Sequence, residues 1–460
     1  MRTQEGVEIR LLLLLGSDER HISERHSVNI SKLQKFLLIA AILCVIIKSV
    51  FYVLSLKGVD LNLIAPIKYK FNRMLMRWDH LSQDERIIAV CAVALFLPYQ
   101  MVAVPGLLAV FRALLRKDVR QRMNEVSACQ YIYGSVVLFT LPAILFRNWF
   151  GLMGGVVLWL MLVFMLYLFT VMTVRFYNNL IDLMLILSLF AMLFGVLDKF
   201  VLHWFIFEGR TSSVFFNANY YGYMLELFVI MALYRFESRH SVGYLVILFA
   251  NLGSILLCDC RTAWAALAIA LMFYAVHYKH NVKWVVIIML VTVACVMAVL
   301  AAPTLFSRMA GEVLDNDFGK RSRIWGTAIE WIRQRPLFGF GMNSFREICI
   351  RTHAKRIRWH SHNLILNVLL DYGAVGLAYF SCMAGKIVSV INKPQFCVSY
   401  GMIRKLIMVA TLATLIHGMT DVPLLGVQTA LAMIYVVSGC SVERNERVFK
   451  RLINFCEIYE

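Results

Sequence analysis

Apolar runs of about 20 residues recur along most of the chain, and short polar connectors separate them. A run of that length crosses a bilayer as a helix, with some tilt where the run is longer. The predicted spans cover about 35–56, 87–112, 128–146, 149–173, 179–203, 220–234, 242–258, 262–277, 284–303, 363–382, 405–419 and 424–441. The pattern therefore predicts an all-α polytopic membrane protein with about twelve transmembrane helices.

Basic residues gather in connectors that these spans place on one side of the membrane. The connectors are 112–122, 235–240, 277–283, 386–405 and 444–451, and the positive-inside rule assigns them to the cytosol. The connector 57–86 faces outward on this topology, although its basic residues outnumber its acids. The predicted division is N-terminal transmembrane helices over 1–303, a large extracytoplasmic loop over 304–362, C-terminal transmembrane helices over 363–441 and a cytoplasmic tail over 442–460.

Composition supports the membrane interpretation. Hydrophobic residues make up 60% of the 460 residues, charged residues only 16%, and the mean hydropathy is +0.70. A net charge of +18 raises the question of nucleic acid binding. Basic loops beside anionic lipid account for much of this excess, so the expected partners are membrane lipids and not nucleic acid. The 11 cysteines lie mostly in apolar runs, where cysteine acts as a small hydrophobic residue.

Residues that could carry chemistry gather at connectors on the outer side. The loop 304–362 is strongly basic where the positive-inside rule expects few cations, and an anionic substrate is the simplest reason. Helix packing can bring the other connectors to the same vestibule. The candidates are Arg210 with Asn217 and Asn219, then Arg261, then Arg358, His360, His362 and Asn363, and finally Asp421.

These residue types suit one reaction. Arginine binds phosphate through two parallel hydrogen bonds and stays charged, while histidine can take a proton from a hydroxyl near neutral pH. The set suggests attack by an alcohol on a lipid-linked phosphate ester, with arginines stabilising the leaving diphosphate in place of a metal. Two alternatives stay open: each arginine alone could reach lipid headgroups, and Asp315 with Asp317 has a spacing that could hold Mg²⁺.

Four stretches together resemble the bacterial O-antigen ligase and O-antigen polymerase superfamily, over about residues 200–425. His362-Asn363 is followed by nine residues, Gly373, two more residues and Gly376, which is similar to the ligase signature at the end of its loop. RSRIWGTAIEWIRQRPLFGFGMNSF resembles the family's Arg, Trp and Pro-x-x-Gly-x-Gly stretch. CDCRTAW and EGRTSSVFFNANYYGY resemble its two arginine turns, with Cys260 where serine is common and Ala218 where proline is frequent.

This resemblance implies a metal-independent, inverting glycosyltransferase without cofactors. It would act at the periplasmic face of the bacterial inner membrane, so that the loop 304–362 is periplasmic. The implied donor is a glycan on undecaprenyl diphosphate, the acceptor is lipid A–core oligosaccharide, and the enzyme is a monomer. The implied site has His362 as base, Arg210 and Arg261 on the donor diphosphate with Arg321 or Arg323 beside them, and His360, Asn363, Arg358, Asp421 and Asn219 as supporting residues.

Other functions remain open at this point. An O-antigen polymerase uses the same donor chemistry with a second lipid-linked repeat unit as acceptor, and related enzymes glycosylate proteins. A lipid or glycan transporter would also explain many spans and a basic vestibule. A transporter predicts ionisable groups near the membrane midplane and repeat symmetry between its halves, whereas the charges here gather at one face.

Overall fold

The computed structural model describes residues 80–279 and 313–448, except positions 98, 205, 208 and 355. The predicted spans 35–56 and 284–303, the connector 57–79 and the tail after 448 lie outside the described residues. Within them, secondary structure is helical apart from one two-stranded antiparallel hairpin of β1 (Ile206–Phe207) and β2 (Arg210–Thr211), in which Phe207 pairs with Arg210.

The helices alternate between the two ends of a bundle. The first half contains α1 (Gln83–Ala94), α2 (Tyr99–Leu115), α3 (Lys117–Asn124), α4 (Cys129–Leu145), α5 (Trp149–Leu168), α6 (Val174–Leu197), α7 (Ala218–Arg239), α8 (Val242–Cys258) and α9 (Arg261–Tyr274). The second half contains α10 (Val313–Gln334), α11 (Ser344–Arg351), α12 (Leu364–Ile391), α13 (Pro394–Gly418) and α14 (Val427–Val437). The predicted loop 304–362 therefore carries two helices of its own, α10 and α11.

Length and composition confirm a helical membrane protein. Four described helices are long and apolar enough to cross a bilayer: Trp149–Leu168, Val174–Leu202, Leu364–Ile391 and Pro394–Gly418. The pair α3 and α4 passes the same test together, with a bend of 94° between its members. The prediction of about twelve spans goes further than this and stays a prediction.

The predicted single span 87–112 is wrong, because α1 and α2 form a helical hairpin. Arg112 at the end of α2 donates to Gln83 Oε1 at 2.8 Å and lies 3.5 Å from Asp84, at the start of α1. The apolar run is continuous in sequence, but Pro98 stands between the helices, and proline supplies no N–H to a helix. Gln428 satisfies the buried C-terminal end of α1 by donating to the carbonyl oxygens of Leu95 and Leu97, at 2.9 Å each.

The connector 386–405 is also shorter than predicted. Helix α12 continues to Ile391 and α13 begins at Pro394, so only two residues separate the helices. The apolar run ends earlier than the helix, because the last turns of α12 carry polar side chains that are exposed. The prediction from basic residues therefore placed the two ends of this connector inside helices, one in α12 and the other in α13.

Helix α7 lies at the centre of the core. Most of its residues are buried, including Tyr221, Phe228 and Glu226. Helices α6, α8, α9, α13 and α14 pack around it. One end of the bundle receives the β1–β2 hairpin, the start of α9, the start of α12 and the turn after α13. That end carries the candidate site.

The segment 336–341 is bound to a break in α12. Phe340 N donates to Leu370 O at 3.0 Å, and Val375 N donates to Leu337 O at 3.1 Å. The break falls at Gly373, which has φ 64° and ψ −163°, a conformation open to glycine alone. A Cβ there would lie 2.2 Å from the Leu337 carbonyl carbon. The signature glycine thus allows close packing between the loop and α12.

Candidate active site

Asp421 lies at the centre of the candidate site, in the turn that follows α13. Its backbone N–H and that of Thr420 both donate to His417 O at 3.1 Å, which closes the turn. The carboxylate is buried, and its Oδ1 accepts from Val422 N at 2.8 Å. A buried carboxylate is costly unless charged or polar groups surround it, and here they come from four separate segments.

Two histidines of the loop before α12 face this carboxylate. His362 Nδ1 lies 3.5 Å and His360 Nε2 lies 3.6 Å from Asp421 Oδ1, and the two ring centroids are 4.3 Å apart. His360 Nδ1 accepts from the His362 backbone N–H at 3.2 Å, which assigns the proton of a neutral His360 to Nε2, on the side of Asp421. His362 has φ 54°, a left-handed conformation that is uncommon for this residue type.

The surroundings shift the pKa values of the two most buried titratable groups of the site, His360 and Asp421. Burial lowers the pKa of His360 to about 4, although the Asp421 carboxylate opposes this shift. Burial alone would raise the pKa of Asp421, but its interactions with His362 and His360 outweigh burial and hold the pKa of this carboxyl well below its usual range. At neutral pH the site therefore contains an ionised Asp421 beside a neutral His360.

Arg210 is tied to the same carboxylate through one amide. Arg210 Nη2 donates to Asn219 Oδ1 at 2.6 Å, and Asn219 Nδ2 donates to Asp421 Oδ2 at 2.6 Å. A further bond from Arg210 Nε to Cys258 O, at 3.0 Å, fixes the guanidinium against the end of α8. Asn219 lies in the first turn of α7, which Asn217 caps by accepting from Tyr220 N at 2.8 Å.

Arg261 is the first residue of α9 and is half-buried. The next residue, Thr262, shares a hydrogen bond of 2.9 Å with Thr420 in the Asp421 turn. The start of α9 is therefore at the site, where a helix N-terminus favours anions.

Arg321 and Arg323 both lie on α10, but their side chains have different surroundings. The charge of Arg321 disfavours protonation of His360, which puts it near the site. Trp325, one turn further on the same helix, donates to His362 O at 3.3 Å. Arg323 is exposed, and its Nε donates back to Gly319 O at 3.2 Å on its own helix.

Asn363 joins the start of α12 to the Asp421 turn. Its Oδ1 accepts from Leu366 N at 3.0 Å as the helix cap, and its Nδ2 donates to Met419 O at 3.0 Å. Arg358 is half-buried two residues before His360, and its side chain takes part in none of the contacts above.

His360, His362 and Asp421 could in principle hold a metal, since one ligand atom from each lies within 4.8 Å of the others. Several features of the donor set disfavour a dication. Both carboxylate oxygens already accept hydrogen bonds, from Val422 N and Asn219 Nδ2, and Arg210 is bonded to that same amide. The side chains of Asp315 and Asp317, the alternative Mg²⁺ pair, lie outside the described residues.

Two polar residues of the site region, Asn367 and Asp371, are not among the candidates predicted from sequence. They follow the predicted Asn363 at intervals of four residues and so lie on one face of α12 with it. Asn367 Nδ2 donates to Asp371 Oδ2 at 2.8 Å, and Asp371 also accepts from Ser344 Oγ at 2.5 Å. The spacing was the available signal, since an acid within an apolar run calls for partners. No comparable feature of the sequence indicated that Trp325 belongs to the site region.

Comparison with known proteins matches one part of the chain to a family. Residues 243–381 match the family model described as O-antigen ligase. The match includes Arg261, Arg321 and His362, whereas Arg210, Asn219 and Asp421 lie outside it and reach the site through the fold. A search of curated proteins finds no match to the chain. The match covers less than a third of the chain and, together with the motifs, supports membership of the O-antigen ligase/polymerase superfamily.

Proposed function

We propose that the protein is an O-antigen ligase of the bacterial inner membrane. It transfers a glycan from undecaprenyl diphosphate to a sugar hydroxyl of lipid A–core oligosaccharide at the periplasmic face. The observation that carries the proposal is that His362 and Arg210, which are 152 positions apart (362 − 210), converge on the one carboxylate of Asp421. A proton acceptor and a diphosphate-binding cation are thus held by one group.

His362 is suited to activate the acceptor. With Nδ1 directed at Asp421, the second ring nitrogen, Nε2, is the one that can accept the hydroxyl proton. The imidazole side chain is 31% exposed, so an acceptor sugar can reach it. The contact of 3.5 Å to Asp421 is long for a hydrogen bond, and contacts of this kind shorten when substrate binds.

The arginines are suited to the donor. Arg210 is bonded to the amide that binds Asp421, Arg261 begins α9, and the charge of Arg321 acts on His360. Three permanent cations can balance the charge that develops on a leaving diphosphate. The acceptor oxygen bonds to the anomeric carbon as the bond from that carbon to the diphosphate oxygen breaks. The electron pair leaves with the diphosphate, and the hydroxyl proton passes to His362. A single displacement of this kind inverts the anomeric centre, and it needs no metal or cofactor.

The polymerase is the second candidate. It differs only in its acceptor, a second lipid-linked repeat unit, and would use the same arginines and histidine. The intact spacing from His362-Asn363 to Gly373 and Gly376 favours the ligase.

Complementation of a strain that lacks its O-antigen ligase tests the proposal. Wild type should restore the lipopolysaccharide ladder on a gel, and His362→Asn should reduce it by about 10²–10⁴-fold. Asparagine tolerates the positive φ at this position, and His353→Asn, at an exposed histidine with φ 48° in the same loop, is the matched control. A ladder at wild-type level with His362→Asn refutes the assignment of the base. If wild type fails here but lengthens chains in a polymerase-null strain, the protein is a polymerase.

A further inference from the structure

A buried acid–base pair lies inside the bundle below the site. Glu226 of α7 and His417 of α13 are both 0% exposed, and Glu226 Oε1 is 2.5 Å from His417 Nδ1. Removing two such groups from water costs more than most ion pairs return, and ionisable residues within membrane helices are usually functional. The transfer chemistry proposed above uses neither residue.

The pair connects the same two segments that the site connects. Glu226 follows Asn219 by seven residues, two turns along the same face of α7. His417 accepts the backbone bonds that form the Asp421 turn. Tyr223 and Thr414 share a third hydrogen bond of 2.8 Å from α7 to α13. Three polar links therefore fix the register of one helix on the other.

We propose that Glu226 and His417 are positioning residues for the transfer reaction. Their hydrogen bond sets the height of the Asp421 turn against α7, and it thereby keeps Asp421 within reach of both Asn219 and His362. This inference rests on the proposed function, because Asp421 matters only if His362 and Arg210 act on one substrate.

Glu226 and His417 depend on each other for a side-chain hydrogen bond. Within the described part of the chain, Glu226 Oε2 and His417 Nε2 are buried without a hydrogen-bond partner. The charged and titratable groups that act on the pair are Asp421 and Arg321 on the side of His417, and Cys260 and Tyr223 on the side of Glu226. Loss of Glu226 therefore leaves His417 without its bond, and the turn above it is free to shift.

The same fold offers a matched control at the other end of α7. Arg235, nine residues after Glu226, makes two hydrogen bonds to Asp182 of α6, at 2.6 and 2.7 Å, and its side chain is 2% exposed. This pair also joins α7 to a neighbouring helix, with a buried Arg235 and an Asp182 side chain that is 25% exposed, but it contacts no residue of the site. A purely structural role predicts the same behaviour for both pairs.

The test measures release of lipid diphosphate from a labelled undecaprenyl-diphosphate glycan by purified protein in liposomes. Glu226→Leu, which removes the hydrogen bond, should lower kcat by about 100-fold, the size of effect that a shift of about 1 Å produces. Glu226→Gln keeps a hydrogen-bonding partner for His417 and should stay within about 5-fold of wild type. Asp182→Leu should lower the melting temperature and leave kcat per folded molecule within about 3-fold.

Two results would overturn the inference. Glu226→Leu with wild-type kcat would reduce the pair to a structural contact. Glu226→Gln as inactive as Glu226→Leu would show that the carboxylate charge, and not the position, is required. The liposomes contain lipid A–core oligosaccharide as well as the lipid-linked glycan, so a ligase and a polymerase both find an acceptor and both release lipid diphosphate. A wrong choice between the two functions therefore leaves this test intact. A wild-type protein that releases none refutes the proposed function itself.

Discussion

The amide of Asn219 donates to the carboxylate of Asp421 over 2.6 Å, although 202 residues separate the two in sequence. This bond joins the first turn of α7 to the turn after α13. Arg210 is held at one end of it and the two histidines at the other. A group that binds a diphosphate and a group that accepts a proton are thereby fixed relative to one another before any substrate arrives, which is the preorganisation that transfer chemistry needs.

The two candidate arginines of α10 should differ in their effect on the donor. Arg321→Ala should raise the KM for the lipid-linked donor by about 10-fold, since its charge acts on the histidines of the site. Arg323→Ala should change the KM less than about 2-fold, because its guanidinium is bonded to its own helix. Steady-state assays with a fluorescent donor give both values. A larger rise in the KM for Arg323→Ala than for Arg321→Ala would instead indicate that the donor binds at the other face of α10.

Folding stability should fall as the pH drops through the interval set by His360. The pKa of His360 is about 4 in the folded protein, against an ordinary value of 6.5, so the unfolded chain binds more protons between these values. Stability therefore rises with pH over that interval, and His360→Asn should flatten the rise. The melting temperature in detergent between pH 4 and 7 measures it.

Two controls belong to that titration. The exposed variant His353→Asn should keep the wild-type slope. Asp421, whose pKa is held low, adds stability that is complete above its ordinary pKa and is lost only as the pH falls below about 4. An unchanged slope in His360→Asn would contradict a buried, neutral imidazole at that position.

Gly373 should tolerate no side chain. Gly373→Ala places a Cβ 2.2 Å from the Leu337 carbonyl carbon at φ 64°, and we expect a loss of about 3 kcal/mol or more of unfolding free energy. Gly385→Ala, on the same helix with nothing within 4 Å of the added Cβ, should instead stabilise by about 0.5–1 kcal/mol. Equal melting temperatures of the two variants would mean that the loop segment 336–341 does not pack on this break.

Glycan transfer should survive the removal of divalent cations. The hydrogen bonds to both oxygens of Asp421 and the neighbouring arginines leave charge stabilisation to guanidinium groups. Activity of purified protein with excess EDTA should stay within about 2-fold of its value without EDTA. Loss restored by Zn²⁺ would indicate a site at His360, His362 and Asp421, while loss restored by Mg²⁺ would indicate Asp315 and Asp317.

The sequence predicts the members of the site better than the links between them. The outer ends of the apolar runs identify Arg210, Arg261, His362 and Asp421, because polar residues at span ends stand out against an apolar background. The bond from Asn219 to Asp421 depends on which helices are neighbours, and hydropathy carries no information on that. The partner of Glu226 was unknown from sequence for the same reason.

The hairpin of α1 and α2 shows a second limit. Apolar length alone cannot distinguish one long span from two shorter helices that turn back, and Pro98 was the only local sign of the break. Similarly, the choice between Arg321 and Arg323 depends on the rotation of α10 about its axis, which is set by packing at Trp325 and not by residue type.

The account depends most on one pocket that brings several guanidinium groups and one imidazole to the same lipid diphosphate. A structure of the protein in lipid nanodiscs with bound undecaprenyl diphosphate tests this directly. We expect diphosphate oxygens at about 3 Å from guanidinium nitrogens of Arg210 and Arg261, on the side of the bundle that holds His362. A diphosphate bound at the opposite end of the bundle, or held by loop cations while Arg210 and Arg261 stay unengaged, would contradict it.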